Sequence, residues 1–292
     1  MIIVRLIGGL GNQMFQYAAG RAIAYRNNTH LKLDISSFEH YMLRSYGLDN
    51  FNIVEEFATH DEIKRLKPAR SQLFSFCIYK LRQKMIPWYK QSRIIERTFN
   101  FDPDIKKITG NAYLEGYWQS EKYFEDISHI IRKDLTFKEE SDEMNKSLLL
   151  DIQNTNSVSV HIRRGDYVLN LKTMETHGVL GIEYYLKALK LIEKKVKDPE
   201  IFIFSDDITW SKKHLKTDLP LHFIDQNGAK KDYEDLRLMS NCKHHIIANS
   251  SFSWWGAWLG QKEGQVVMAP ANWFKIITCN YSDRLPSRWL II

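Results

Sequence analysis

Ser157-Val158-Ser159-Val160-His161-Ile162-Arg163-Arg164-Gly165-Asp166-Tyr167 reads as a strand that runs into a charged turn. Strand side chains alternate, so Val158, Val160, Ile162 and Arg164 share one face while Ser159, His161 and Arg163 share the other. On that spacing His161 and Arg163 lie roughly 7 Å apart. One imidazole and one guanidinium thus point the same way at the strand's C-terminal end. A guanidinium forks onto a phosphate, and its charge does not titrate near neutral pH. Asp166 is placed to pair with Arg163 or Arg164 in a structural salt bridge, but it does not account for both.

Similar units lie on either side. Downstream come IFIFSDD (201–207), LHFID (221–225) and HHIIANS (244–250); upstream come IIVRLI (2–7), a helical pattern from Met14 to about Arg26, and HLKLDI (30–35). Short β-branched runs alternating with helical stretches predict an α/β fold with parallel strands. The polar, acid-rich FKEESDEMNKS (137–147) separates the two series, which places a domain boundary near residue 150. The simplest architecture is two Rossmann-like lobes, 1–150 and 151–292, with a cleft between them.

With 292 residues, 44% hydrophobic and 26% charged, the chain can bury one or two full cores, which excludes a disordered or fibrous protein. Cys77, Cys242 and Cys279 form no CxxC pair and support neither a disulfide framework nor a zinc site. MIIVRLIGG carries Arg5 and runs straight into a glycine turn, so it reads as a first strand and not a signal peptide. No stretch approaches the roughly 18 apolar residues of a membrane span. A cytoplasmic location is expected.

The formal net charge of +6 suits a phosphate-bearing ligand, an anionic membrane surface or nucleic acid. Residues 64–97 hold ten basic side chains against the single acid Glu96, with five aromatic residues interleaved. This segment reads as a helical subdomain with a solvated basic face, and it is also a candidate for peripheral contact with an inner membrane surface. A nucleic-acid-binding reading would leave the polar strand ends unexplained, so no nucleic-acid partner is expected.

Those strand ends carry the chemistry. Gly8-Gly9-Leu10-Gly11-Asn12-Gln13 has the strand, glycine turn and helix layout that lets backbone approach a phosphate, yet it fits neither GxGxxG nor a P-loop. Taken alone, it is better read as a packing turn. Asp206 and Asp207, after IFIF, can bind ribose hydroxyls, orient an arginine, hold a metal or cap a helix. Asp102-Pro103-Asp104 matches a DxD metal pattern and equally a proline turn; the turn is preferred. From Asp232 onward a helix, a strand near 244–248, a polar turn at 249–252 and another helix bring Asp235 and Asn249–Phe252 to one sheet edge, where α/β folds bind ligands. Hydroxyls and amides at Asn249, Ser250, Ser251 and Phe252 make an anion site. Trp254, Trp255 and Trp258 read as packing residues, not a sugar platform.

Taken in order and spacing, GGLGNQMFQYAAGRA, GYWQSEKYF (116–124), HIRRGDY (161–167), FSDD (204–207) and NSSFSWWGAWLG (249–260) resemble the α-1,2-fucosyltransferases. These are relatives of the α-1,6- and protein O-fucosyltransferases. The resemblance covers nearly the whole chain. It implies a two-lobed GT-B fold, GDP-β-L-fucose as donor, a galactose-terminated glycan as acceptor, inversion at the fucose anomeric carbon, and no required metal or other cofactor. Carried over by position, Arg163 resembles the arginine that holds the GDP β-phosphate, and His161 its donor-contacting neighbour. Asp235, sixteen residues before Ser251, resembles the guanine-reading aspartate. Asp206 and Asp207 resemble the pair supporting the donor site, and Gly9, Gly11, Asn12 and Gln13 an N-terminal loop facing the cleft. No motif names the base that takes the acceptor proton; Asp34, Glu115 and Asp166 are candidates by location.

Overall fold

The protein is described here by a computed structural model over residues 1–39, 44–67, 85–165, 168, 174, 175, 178–228, 230–275 and 282–292. It forms two compact α/β units: Met1–Lys138 with Ser282–Arg284, and Glu139–Tyr281 with Leu285–Ile292.

The first unit is built on β1 (Ile2–Arg5), β2 (Leu31–Asp34), β3 (Arg93–Ile95) and β4 (Ala112–Glu115). They pair in parallel in the order β2-β1-β4-β3. Helix α1 (Leu10–Arg26) follows β1 and is buried along most of its length. Its closeness to the sheet depends on Gly20, where a Cβ would lie 3.0 Å from both Val4 Cβ and Leu31 Cδ1. A larger residue there would push the helix off a close-packed sheet. The opposite face takes α2 (His60–Leu66), started by a reciprocal Thr59–Glu62 capping box. Leu66 of α2 packs with Ile3 and Tyr113. Strands β1, β2 and β4 end in Arg5, Asp34 and Glu115, so charge gathers at the sheet's C-terminal edge. A short helix α3 (Ser128–Asp134) lies near the end of the unit.

The second unit opens with α4 (Glu143–Asn154), started by Asp142, whose carboxylate accepts the Asn145 N–H at 3.0 Å. The division thus falls between Lys138 and Glu139, and the expected boundary near 150 lies inside this helix. The acid-rich segment read as a separator is in part the exposed face and cap of α4. Six parallel strands follow: β5 (Asn156–Ile162), β6 (Pro199–Ser205), β7 (Leu221–Ile224), β8 (His244–Ile246), β9 (Val267–Ala269) and β10 (Leu290–Ile291). Their order is β10-β9-β8-β5-β6-β7. The first strand is central, β6 and β7 extend to one side, and β8 onward extend to the other. This is the doubly wound order, whose ligand edge lies at the C-terminal ends of β5 and β8 where winding reverses.

The core joins Val158, Val160, Ile162, Ile201, Ile203 and Ile246 to Tyr185, Leu189 and Ile192 of α5 (Ile182–Lys195). Trp254, Trp255 and Trp258, on the last helix, are 0%, 0% and 2% exposed and pack on one another and, through Trp254, on Trp289. They are core residues, as expected. Among the described residues no helix is long and apolar enough to cross a membrane. Of the basic segment 64–97, residues 68–84 lie outside the described residues.

Candidate active site

Past the end of β5, Arg163 and Arg164 each meet one aspartate from the loop after the adjacent β6. Arg163 Nη1 lies 2.8 Å from Asp206 Oδ2. The other oxygen of Asp206 accepts the Arg164 backbone N–H at 2.7 Å. Gly165 makes this possible, because a Cβ there would stand 2.6 Å from Asp206 Oδ2. Arg164 Nε is 3.4 Å from Asp207 Oδ2, and its guanidinium lies 3.9 Å from the centroid of the Trp210 ring. Asp207 also caps α6 (Ile208–His214), accepting the Trp210 N–H at 3.0 Å. Of the roles open to the two aspartates, Asp206 orients an arginine, while Asp207 caps a helix and supports its neighbour. Asp166 lies outside the described residues.

His161, the last but one residue of β5, is buried, and its Nδ1 has no hydrogen-bond partner among the described residues. Burial lowers its pKa to about 4, with Asp206 opposing and Arg163 adding to the shift, so the ring is neutral at ordinary pH. Its centroid lies 5.6 Å from that of Phe252. This contact joins the β5 end to the start of α8 (Ser251–Leu259), whose cap Ser250 accepts the Phe252 N–H at 3.4 Å. Asn249 is deeper, 2% exposed, and its side-chain amide donates to the carbonyls of Gly178 at 3.4 Å and Trp273 at 3.2 Å. It ties loops together beside the start of α8.

Asp235 lies in the first turn of α7 (Asp232–Asn241) and accepts from Asn227 Nδ2 at 2.7 Å. Asn227 in turn exchanges hydrogen bonds with the buried Asn145, at 2.8 and 3.1 Å. Burial raises the Asp235 pKa to about 6; Asn227 opposes this, and Asp232 and Glu234 reinforce it. Neither asparagine was named from the sequence. The local signal for Asn227 was a polar Asp225-Gln226-Asn227 run at a strand end, and Asn145 lay within the polar segment 137–147.

In the first unit the glycine turn is a packing device. Gly8 has φ +80°. The N–H groups of Asn12 and Gln13 both donate to the Gly9 carbonyl, at 2.9 and 3.2 Å, closing the first turn of the helix. Gln13 is 1% exposed; its amide donates to the Ser45 carbonyl at 2.9 Å and accepts the Gly47 N–H at 3.0 Å. Asn12 accepts from Gln119 at 2.6 Å. Gly11 is buried in the first helical turn.

Two of the carboxylates considered as bases, Asp34 and Glu115, are similarly engaged. Asp34 is buried and accepts from Tyr113 Oη at 2.7 Å and the Ser36 N–H at 3.0 Å. Burial favours protonation of Glu115, but Arg93, Lys67 and Arg5 together hold its pKa below the ordinary glutamate range. Sequence reasoning passed over Glu96, which follows β3 and accepts the N–H groups of Tyr117 at 2.6 Å and Trp118 at 2.9 Å. Burial raises its pKa, and Trp118 takes a left-handed φ of +55° in the turn that it braces. Asp102 and Asp104 bind Arg97, and Asp102 caps the turn that begins at Pro103.

Comparison with known proteins agrees with this layout. The chain is 36% identical over 309 residues to an α-1,2-colitosyltransferase of Escherichia coli, covering 100% of this chain and 99% of that one. It is 33% identical over 292 residues to the O-antigen biosynthesis glycosyltransferase WbnK of Escherichia coli, covering 92% and 93%. It is 26% identical over 268 residues to galactoside 2-α-L-fucosyltransferase Sec1 of Mus musculus, covering 89% of this chain and 64% of that one. Among solved structures, NodZ α-1,6-fucosyltransferase soaked with GDP-fucose aligns with a TM-score of 0.53 at 14% identity, covering 88% and 91%. That likeness shows a shared two-lobed α/β glycosyltransferase fold of the GT-B kind. The model of glycosyl transferase family 11 matches residues 1–278, and the chain belongs to that family.

Proposed function

We propose that the protein is an inverting α-1,2-fucosyltransferase that moves L-fucose from GDP-β-L-fucose to the 2-hydroxyl of a terminal β-galactoside. Its acceptor is an oligosaccharide or surface-polysaccharide precursor on the cytoplasmic side of the membrane. The observation that carries this is Arg163, fixed by Asp206 at 2.8 Å at the ligand edge of a doubly wound sheet whose adjacent strand leads into α8. The α-1,2 linkage is supported by the names of the colitosyl and mouse fucosyl relatives, and the polysaccharide setting by that of WbnK. A GDP-sugar donor is supported by the neighbour soaked with GDP-fucose.

Charge development explains the arrangement. As the bond from fucose C1 to the phosphate oxygen breaks, negative charge collects on the GDP β-phosphate and positive charge on the sugar. Arg163 and the backbone amides that begin α8 stabilise that separation more than the ground state. Asp206 holds Arg163 ready, so little reorganisation is needed during the reaction. In this mechanism the arginine and amides take the place of a metal, and transfer proceeds without one. Asp235, when ionised, accepts guanine N1–H and the 2-amino group together, a pair that adenine does not offer. The acceptor 2-hydroxyl attacks from the face opposite GDP, which inverts the anomeric centre. Asp34 and Glu115 are both engaged in the fold, and the proton of the attacking hydroxyl passes late in the step to solvent.

Colitose, fucose without its 3-hydroxyl, is the alternative donor sugar, favoured by the full-length match to a colitosyltransferase. Purified protein with lactose, EDTA and either GDP-fucose or GDP-colitose separates the two by product mass and linkage analysis. A fucosylated, α-1,2-linked trisaccharide is expected. Transfer from GDP-colitose alone would replace the donor, and a requirement for added metal would remove the arginine-centred mechanism.

A further inference from the structure

At the C-terminal edge of the N-terminal sheet three cations converge on one carboxylate. Arg5 Nη1 lies 2.7 Å from Glu115 Oε1, and Arg93 reaches Glu115 Oε2 through Nε at 2.8 Å and Nη2 at 2.5 Å. Lys67 is less committed: its Nζ is 3.7 Å from Glu115 Oε1 and donates to Tyr113 Oη at 3.4 Å. Among the described residues it has no carboxylate oxygen within hydrogen-bond distance. Asp34, the other acid nearby, accepts a hydrogen bond from the same tyrosine at 2.7 Å.

A cluster that only braced the sheet would balance its charges. Here the cations outnumber the acids even with Asp34 counted, and the side chains of Arg5, Lys67 and Arg93 keep 33%, 30% and 30% of their surface exposed. Burial pushes the Lys67 pKa down; Glu115 and Asp34 oppose this shift, and Arg5 and Arg93 add to it. Arg93 uses Nε and Nη2 on Glu115, and Arg5 uses Nη1 on Glu115 and Nε on Ser37 Oγ at 3.0 Å, so the edge offers an oxyanion the Arg93 Nη1, the Arg5 Nη2 and the Lys67 ammonium at the C-terminal end of a parallel sheet.

We propose that this edge is an anion subsite in which Lys67, Arg93 and Arg5 receive a carboxylate or phosphate group carried by the acceptor glycan. Glu115 is its fixed inner counter-ion and orients the two arginines. The anion site itself is independent of the transfer reaction; its assignment to the acceptor rests on the proposed function.

The test starts without catalysis. Inorganic phosphate and sodium glucuronate are titrated calorimetrically into the native protein, K67M and K67R, and thermal unfolding of each protein is recorded without anion. The difference between native protein and K67M isolates this edge from the donor site. Native protein and K67R are expected to bind at least one anion, and K67M at least tenfold more weakly. K67M should unfold at the native temperature or above, because a like-charge contact has been relieved. Whichever anion binds more tightly identifies the group as phosphate or carboxylate. Equal affinities in the native protein and K67M, no binding to the native protein, or a markedly lower unfolding temperature for K67M would each overturn the subsite.

A second arm compares galactose-ended acceptors with and without the preferred anionic group. K67M should reduce the native preference for the charged acceptor about tenfold, mainly through KM; an unchanged preference would remove the acceptor assignment. If the native protein fucosylates neither acceptor, the proposed function fails, while the binding arm still decides the subsite.

Discussion

At the C-terminal edge of the second sheet, Arg163 and Arg164 meet Asp206 and Asp207 one to one; at the corresponding edge of the first sheet, Arg5, Arg93 and Lys67 share Glu115. Both edges end parallel strands in charge, but they balance it differently. A one-to-one pair fixes where a guanidinium sits, which suits a group that must meet charge appearing in a transition state. An excess of cations favours an anion already present in the ground state, which suits binding. The same residue types thus serve rate at one edge and affinity at the other.

The contrast can be broken most severely at Arg163. Arg163→Ala should lower transfer about 10²–10³-fold, the usual cost of one transition-state donor, with the circular dichroism spectrum unchanged; near-native initial rates would remove the assigned role. Asp206→Asn keeps a hydrogen-bonding shape and loses the charge, so transfer should fall about 10–100-fold, since hydrogen bonds to charged groups are worth about 1.5–3 kcal/mol. A loss of unfolding stability with no loss of rate would instead make the Arg163–Asp206 pair a structural bridge.

Glu115→Gln probes the other edge and should act in the opposite sense. With three cations left facing one another, unfolding stability should drop by about 2 kcal/mol, below the range for fully buried pairs because the partners are partly exposed. Urea denaturation checks this, and an unchanged midpoint would contradict the crowding of cations around Glu115.

Asp235 gives a smaller, pH-dependent effect. Its folded pKa of about 6 lies above the ordinary aspartate value of 3.8. The folded state therefore holds the proton more tightly, and the carboxyl's contribution to stability is full below about pH 4 and lost as pH rises through 6. Guanine recognition needs the ionised form, so GDP affinity should fall as pH drops through about 6. Asp235→Asn should weaken GDP binding about tenfold, or 1.4 kcal/mol, and remove the part of that pH dependence that GDP's own ionisation does not supply. Calorimetry about one pH unit either side of 6 tests both points. Smallest of all, Trp210→Leu removes the ring under Arg164 and should cost about 0.5–1 kcal/mol, a few-fold in rate.

Much of the second sheet was legible because its strands announce themselves locally. SVSVHI alternates, IFIF is too apolar to lie anywhere but inside, and each run ends in the polar residues that mark the ligand edge. The order of motifs then singled out Arg163, Asp206 and Asp235 as candidates. Partners were far less visible, because they come from distant sequence: the Arg164 N–H and Asp206 are 42 residues apart, Asn145 and Asn227 82, and Arg5 and Glu115 110. The N-terminal loop illustrates the same limit. Asn12 and Gln13 read as cleft residues, but the sequence does not show that the Gln13 amide also holds a loop 32 residues away. Composition marked 64–97 as basic, but it could not show that Lys67 and Arg93 come together around Glu115.

The proposed mechanism turns on Arg163 enabling α-1,2 transfer of fucose from GDP-fucose to a galactoside. The most direct test measures GDP release and linkage-analysed product together for native protein and Arg163→Ala, with GDP-fucose, lactose and EDTA. An α-1,2-fucosylated product is expected from the native protein and almost none from the folded variant; comparable product from both, or a different linkage from the native protein, would contradict the proposed function.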